Sequence, residues 1–132
     1  MAETIHAAIQ EENVTVRIKA SWSLGNLSDA LVLRKGDSNA FEEIPDNLLL
    51  DLIEISVKKT SENVKIRINT VRAMGNFLQL MTEDMLKDQR FQKICEDAIR
   101  TLRHNCINNV NVKVGCYCLR KLSCVSTGTN SF

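Results

Sequence analysis

The chain has 132 residues, of which 44% are hydrophobic, and its 17 Lys and Arg residues nearly balance 16 Asp and Glu residues. This length allows one domain with a buried core, and the balanced charge gives no general attraction to nucleic acid or to an acidic membrane. No uncharged apolar stretch approaches the roughly 18 residues that a membrane-spanning helix needs. The first residues lack the basic and apolar segments of a secretory signal. We therefore expect an intracellular protein, cytoplasmic and/or nuclear, that does not contact a membrane.

An internal repeat is the main pattern in the chain. Residues 12–18 (ENVTVRI) match residues 62–68 (ENVKIRI), and the register continues through residues 24–27 (LGNL) and 74–77 (MGNF). A repeat of this length without strand patterning is typical of stacked helix pairs.

Helical periodicity follows the repeat in chain order. Glu3 to Gln10 resembles the remnant of a first helix, and from Val14 to Leu31 apolar residues step by three and four, which only a helix places on one face. The second copy repeats this face from Ile66 to Met81. Asn13 and Asn63 stand at N-cap positions, where their side chains accept from free amides of the first turn. The predicted core residues are Val16, Ala20, Leu24, Leu27 and Leu31, then Ile66, Thr70, Met74, Phe77 and Met81.

Shorter helices are predicted between these two. Arg34 to Glu43 is a predicted loop, after which Pro45 suits the first turn of a helix because its missing donor is not needed there. Leu48 to Val57 is apolar on more than one side, which predicts a helix packed between neighbours. Thr82 to Lys87 is a predicted short helical turn, and Phe91 to Cys106 again steps by three and four.

The third copy begins at Asn109 and then diverges, with Lys121 and Leu122 in place of the Gly-Asn pair. Its residues after Gly115 therefore cannot pack as the first two copies do. We predict one repeat domain over residues 1–125, with units at about 1–33, 45–81 and 88–125, and a disordered tail at 126–132.

Two glycines occupy the same position in the first two copies. A glycine inside a helix costs about 1 kcal/mol relative to alanine. We expect Gly25 and Gly75 to mark places where another backbone comes close.

The pattern Asn-Val-x-Val-Arg-x-x-Ala from Asn13 to Ala20, with its copy from Asn63 to Thr70, resembles the second helix of a HEAT repeat. Residues 1 to about 114 are similar to the HEAT repeat-containing proteins. The resemblance implies an all-α fold, an α-α superhelix of the HEAT or armadillo-like solenoid type with about two and a half to three helix pairs. It also implies a ladder in which basic residues bridge to the turn of an adjacent repeat. The predicted structural ladder is Asn13, Arg17, Asn63, Arg67, Asn109 and Lys113.

Trp22 and Asn26 lie four residues apart on one helix face. Trp-x-x-x-Asn is similar to the signature of importin-alpha armadillo repeats, which implies that the amide pairs with an extended peptide and the indole packs on a lysine stem. The second copy keeps Asn76 but has Arg72 in place of Trp22. We predict that these four residues and Lys19 contact a protein or peptide partner on the concave face. The alternative, favoured by the usual burial of large rings, makes Trp22 a partly buried packing residue and Asn26 a hydrogen bonder between helices.

The cysteine and histidine residues do not have the spacing of a zinc site. The close pairs His104-x-Cys106 and Cys116-x-Cys118 are separated by one residue, whereas structural zinc ligands are usually separated by two to four. Together with Cys124, these thiols are better interpreted as small side chains filling helix seams. No orienting carboxylate or oxyanion pocket stands at a recognisable spacing. We expect no catalytic residue, no metal, no cofactor and no enzymatic activity.

These patterns predict a non-catalytic scaffold or adaptor segment that binds a partner through the concave face. One alternative is an importin-like carrier of extended basic peptides, although only Asp29 supplies an acid near the Trp-Asn pair. Another is a truncated form with no separate activity, and open solenoid ends predict self-association. Nucleic acid is a minor option because only Trp22 offers a stacking ring near Lys19 and Arg72.

Overall fold

A computed structural model of the protein describes residues 1–34 and 44–108, with side chains as far as Asn105. In these ranges five α-helices follow one another, and they contain no strand, which confirms the all-α prediction. The helices are α1 (Ala2–Ala8), α2 (Val14–Leu33), α3 (Asp46–Lys59), α4 (Val64–Gln79) and α5 (Gln89–Asn108), with a short 3₁₀ turn at Met85–Lys87. The predicted loop over residues 35–43, the second half of the third unit and the predicted tail lie outside the described residues.

The helices pack in two layers. In one layer α1 contacts α3, and α3 contacts α5; in the other, α2 lies along α4. The layers are joined because α1 packs on α2, α3 on α4, and α4 on α5. Equivalent helices of successive copies are therefore neighbours.

The core lies between the two layers. Helix α3 buries Leu49, Leu52, Ile53 and Ile55 and contacts α1, α4 and α5, so the predicted packing between neighbours is confirmed. The equivalent residues Leu24 and Met74 are both fully buried in α2 and α4.

Val16 departs from the predicted core. Its side chain is 38% exposed, whereas the equivalent Ile66 is fully buried. Among the described helices, α4 packs on α2, α3 and α5, whereas α2 packs on α4 and on α1, which has only seven residues. The uneven cover explains why one pattern gives two different degrees of burial.

Asparagine side chains cap α2 and α4, as predicted. Asn13 Oδ1 accepts from the amides of Thr15 at 2.9 Å and Val16 at 3.3 Å. Asn63 Oδ1 accepts from the amide of Ile66 at 3.1 Å. Both caps satisfy donors that have no partner within the helix.

Pro45 stands one residue before α3 rather than in its first turn. Its carbonyl accepts from the amides of Leu48 and Leu49, each at 3.0 Å. Proline suits this position because its own nitrogen carries no hydrogen to satisfy.

Arg17 links the turn before α2 to the turn before α4. Its Nη1 donates to the carbonyls of Glu11 at 2.8 Å and Glu12 at 2.7 Å. Its Nε lies 3.1 Å from Glu62 Oε1 as an ion pair, without the alignment of a hydrogen bond, and Lys59 Nζ lies 3.5 Å from Glu62 Oε2. Arg17 thus contacts both its own turn and the turn before α4.

The equivalent Arg67 makes no ion pair with another side chain in the described ranges. In the repeat register, Glu62 of the second unit corresponds to Asn108 of the third, which carries no charge. Asn109 and Lys113, the remaining predicted ladder residues, lie outside the described residues. The charged bridge therefore belongs to the junction between the first two units.

Replacing Arg17 with methionine tests this bridge. Arg17→Met keeps much of the apolar stem but leaves Glu62 without its partner from the first unit. Because the Glu62 side chain is only 24% exposed, we expect the free energy of unfolding to fall by about 1–2 kcal/mol. Urea denaturation monitored by circular dichroism measures this change. Arg67→Met is the matched control and should cost less than about 0.5 kcal/mol. Equal losses for the two variants would contradict the assigned role.

Candidate protein-binding face

Polar side chains line the contact between α2 and α4 and set its register. Ser21 and Ser28 stand seven residues apart in α2, as do Asn69 and Asn76 in α4, so each pair lies on one stripe of its helix. Asn69 Nδ2 donates to Ser21 Oγ at 3.2 Å, and Asn76 Nδ2 donates to Ser28 Oγ at 3.0 Å. Each serine hydroxyl in turn donates to the carbonyl three residues earlier, at 2.7 Å. A shift of α4 along α2 would break both amide contacts together.

The Asp29 carboxylate accepts hydrogen bonds from one charged and one neutral side chain of α4. Arg72 Nη1 donates to its Oδ2 at 2.7 Å, and Asn76 Nδ2 donates to its Oδ1 at 2.6 Å. Arg72 Nη2 also donates to Asn69 Oδ1 at 3.3 Å. The Arg72 and Asp29 side chains are 25% and 43% exposed, so water screens the pair only in part. Both oxygens of the carboxylate are thus bound to the second unit.

Gly25 provides the space in which the Arg72 guanidinium lies. A Cβ atom on Gly25 would be 2.7 Å from Cζ and 2.9 Å from Nε of Arg72, closer than real Cβ contacts. The two helices do touch at Gly25, as expected, but the predicted backbone neighbour is wrong, because the close neighbour is a side chain on its way to Asp29. Gly75 is buried in α4. In the third unit Cys118 corresponds to Arg72 and lies outside the described residues.

The five predicted contact residues separate into two groups. Arg72 and Asn76 are partly buried, and their side chains donate to α2. Lys19, Trp22 and Asn26 are exposed on α2, with Trp22 60% exposed. Their contact with a partner stays a prediction.

The alternative roles for Trp22 and Asn26 fail on the same observations. The Trp22 side chain is 60% exposed, which is more than the partly buried packing residue of that alternative would be. Asn26 is exposed and forms no hydrogen bond with another described residue, and the amide that bonds between helices is Asn76. The interhelical role therefore belongs to the second copy of the Gly-Asn pair and not to the first.

A groove of about 410 Å³ lies where α2 and α4 meet near Trp22. Ile18, Trp22 and Ile68 supply apolar walls, and Ile68 is 40% exposed. Lys19 and Lys65 add two ammonium groups. The groove is lined by Ile18, Lys19, Trp22, Lys65, Ile68 and Asn69. It can hold an apolar side chain and attract acidic groups next to it.

A second cleft, of about 640 Å³, lies between the turn before α4 and the later part of α5. It is polar, and its Thr60, Ser61 and Thr101 hydroxyls already donate to backbone carbonyls. Arg100 in its wall pairs with Asp97 at 3.3 Å. Because this cleft lacks large apolar side chains in its lining, the groove beside Trp22 is the stronger candidate for protein binding.

Neither a metal cluster nor a reactive thiol stands out among the described side chains. No three His, Cys, Asp or Glu residues in this part of the chain are placed to hold a metal ion. Burial, with a smaller contribution from Glu96, raises the pKa of the Cys95 thiol, which disfavours the nucleophilic thiolate. His104 is exposed on α5. The predicted positions Cys106, Cys116, Cys118 and Cys124 lie beyond the described side chains.

Sequence reasoning missed Ser21 and Ser28, which accept from α4, and their partner Asn69, and it named Asp29 only as an acid near the Trp-Asn pair. One signal for them was available. The serines and the asparagines have the same spacing of seven, and each bonded pair is separated by 48 residues in sequence. Matching polar pairs at one separation predict a hydrogen-bonded helix contact once two parallel copies are recognised.

Comparison with known proteins identifies a relative without assigning a function. An uncharacterized protein of Dictyostelium discoideum is 38% identical to the chain over 86 residues, which cover 64% of this chain and 6% of that protein. The chain thus spans a small part of this curated relative. No protein-family profile and no solved structure matches the chain. None of the helices described here is long and apolar enough to cross a membrane.

The contact between Gly25 and Arg72 predicts a coupling between two substitutions. In an Arg72→Ala chain, Gly25→Ala should stabilise α2 by about 1 kcal/mol through helix propensity. In the wild-type chain the new methyl group displaces the guanidinium from Asp29, so the gain should fall by about 1 kcal/mol or more. Urea unfolding of the four proteins measures this difference. The same effect of Gly25→Ala in both backgrounds would contradict the contact.

Proposed function

We propose that the chain is a non-catalytic protein-binding segment of a HEAT or armadillo-like superhelical array, acting as a scaffold or adaptor. The observation that carries this proposal is the exposure of Trp22, the single tryptophan, beside an apolar groove. Aromatic side chains that combine a large apolar surface with a polar donor are enriched at protein interfaces. Their exposure on a folded chain favours a role in contact with another molecule.

The groove favours a partner segment with an apolar side chain flanked by acidic residues. Ile18 and Ile68 would contact the apolar side chain, with the Trp22 ring as a further wall. Lys19 and Lys65 are both exposed and would pair with carboxylates at the rim. Such rim charges mainly select the partner and speed its approach, while the buried apolar contact supplies most of the affinity.

An importin-like carrier of basic peptides is the competing function from the sequence. It would need free carboxylates beside Trp22 and Asn26. Asp29 accepts from Arg72 and Asn76 through both of its oxygens, and two lysines line the groove. This charge distribution weighs against a basic ligand.

Two matched peptides test the proposed partner chemistry. Each carries a central leucine, flanked by glutamates in one and by lysines in the other, and Trp22 emission reports binding because the chain has no second tryptophan. We expect saturable binding and a shift to shorter wavelength with the acidic peptide only. Lys65→Glu should weaken that binding about tenfold or more, since it replaces an attraction with a repulsion.

Arg100→Glu, which changes the same charge on α5 away from the groove, serves as the control and should leave the affinity within about twofold. Binding of the lysine peptide in preference to the acidic one would favour the carrier function. Absence of saturable binding by either peptide at millimolar concentration would contradict the proposed groove.

A further inference from the structure

The internal repeat assigns a second role to the exposed side of α2. Helix α4 docks on α2 through Asn69 and Asn76, with Arg72 between them. The same positions of α2, counted in the repeat register, are Lys19, Trp22 and Asn26. With Ala30 one turn further on, these three residues form what we call the docking stripe. On α2 these residues are thus the repeat equivalents of the residues with which α4 docks, although only the asparagine is the same in both copies.

Within residues 1–34 and 44–108, only the α4 copy of this surface is covered by another helix. Asn76 is partly buried against α2, whereas Asn26 is exposed. Ala73 is fully buried, whereas its equivalent Ser23 is only partly buried. Ala30 is likewise exposed while its equivalent Leu80 is partly buried. Helix α4 has α2 packed against this side. The docking stripe of α2 has no equivalent helix packed on it among the described helices.

The chemistry of the docking stripe indicates the kind of helix that fits. Lys19, Trp22 and Asn26 all offer N–H donors, as Asn69, Arg72 and Asn76 do on α4. The donors of α4 meet hydroxyl and carboxylate acceptors on α2. The largest of these donor side chains, Arg72, lies over Gly25. A glycine in the partner would give the Trp22 ring the room that Gly25 gives Arg72.

We propose that the docking stripe binds an α-helix of another helical unit that repeats the acceptor pattern of α2. That pattern is a serine, a glycine four residues later, and a serine and an aspartate three and four residues after the glycine, as at Ser21, Gly25, Ser28 and Asp29. The proposal rests on the proposed protein-binding function but uses Asn26 and Ala30 rather than Lys65 and Ile68. It therefore names a different surface from the groove, although both include Lys19 and Trp22.

A second copy of this chain does not supply the required helix. Its acceptor stripe on α2 is already covered by α4. The corresponding stripe of α4 has Val71 and Leu78 in place of the two serines and Gln79 in place of the aspartate. The chemistry thus favours a different helical unit as the occupant.

A stapled helical peptide provides a defined probe. It carries residues 14–33 of α2 with its own lysine and tryptophan at positions 19 and 22 replaced by alanine, and a fluorescein label for anisotropy. We expect saturable binding to the full chain, with the Trp22 indole N–H resonance shifting in parallel. A control peptide with leucine in place of Gly25 should bind at least tenfold more weakly, because leucine fills the space needed by the Trp22 ring.

Variants of the chain separate the docking stripe from the groove. Asn26→Leu should weaken peptide binding about fivefold or more, while Lys65→Glu should leave it within about twofold. Trp22→Arg, which copies Arg72 onto α2, should retain binding, since the same side chain already docks over Gly25 in α4. Circular dichroism of each variant establishes that the chain is folded.

Three results would overturn the docking stripe. The first is that the stapled peptide shows no saturable binding to the wild-type chain, even if it binds the Trp22→Arg variant. The second is equal affinity for the glycine and leucine peptides. The third is loss of binding in Lys65→Glu but not in Asn26→Leu, which would place the peptide in the groove. Failure of the proposed groove is a separate result, because it is measured with the acidic peptide and does not depend on Asn26.

Discussion

The polar part of the contact between α2 and α4 is centred on the carboxylate of Asp29. Asp29 accepts from Arg72 and Asn76 together, and Gly25 leaves the space through which the arginine reaches it. The Asp29 side chain is 43% exposed, so water can solvate the carboxylate when the donors are removed, and the pair contributes more to the alignment of the two helices than to the free energy of unfolding. Because the interacting residues lie at fixed positions on two helices, they also define how far one helix can slide along the other. Apolar packing alone would set this register less strictly.

The same register does not continue into the third unit. The receiving residues Ser28 and Asp29 are replaced by Leu78 and Gln79 in α4, and the donor positions Arg72 and Asn76 correspond to Cys118 and Leu122. The sequence thus carries different residue types on both sides at the next set of equivalent positions. The charged residue of the bridge from Arg17 to Glu62 is also replaced, because Asn108 of the third unit is the repeat equivalent of Glu62. The junction between the first two units is therefore chemically distinct within the chain.

The repeat in the sequence predicts the helices well because periodicity and capping are local properties. Asn13 and Asn63 cap the helices that they were expected to begin, and Leu24 and Met74 lie in the core. Periodicity does not indicate which neighbouring helices cover each face. It therefore did not predict that Val16 is more exposed than its equivalent Ile66.

The candidate site was predictable only in part. The Trp-Asn spacing correctly places Trp22 and Asn26 on one exposed side of α2. It could not separate Asn26 from Asn76, since identical residues at identical repeat positions have different neighbours. Likewise, the helix-propensity cost of Gly25 indicates that something approaches closely but not that it is the Arg72 guanidinium. These distinctions depend on which face of each helix another unit covers.

Arg72 crosses α2 at Gly25 to reach Asp29. Nuclear Overhauser spectroscopy of the labelled full chain tests this contact. We expect cross-peaks from the Gly25 Hα protons to the Hε and Hδ protons of Arg72, since a Cβ atom on Gly25 would be 2.9 Å from Arg72 Nε, to which Cδ is bonded. Gly25 Hα cross-peaks confined to residues of its own helix, in a folded chain, would contradict it.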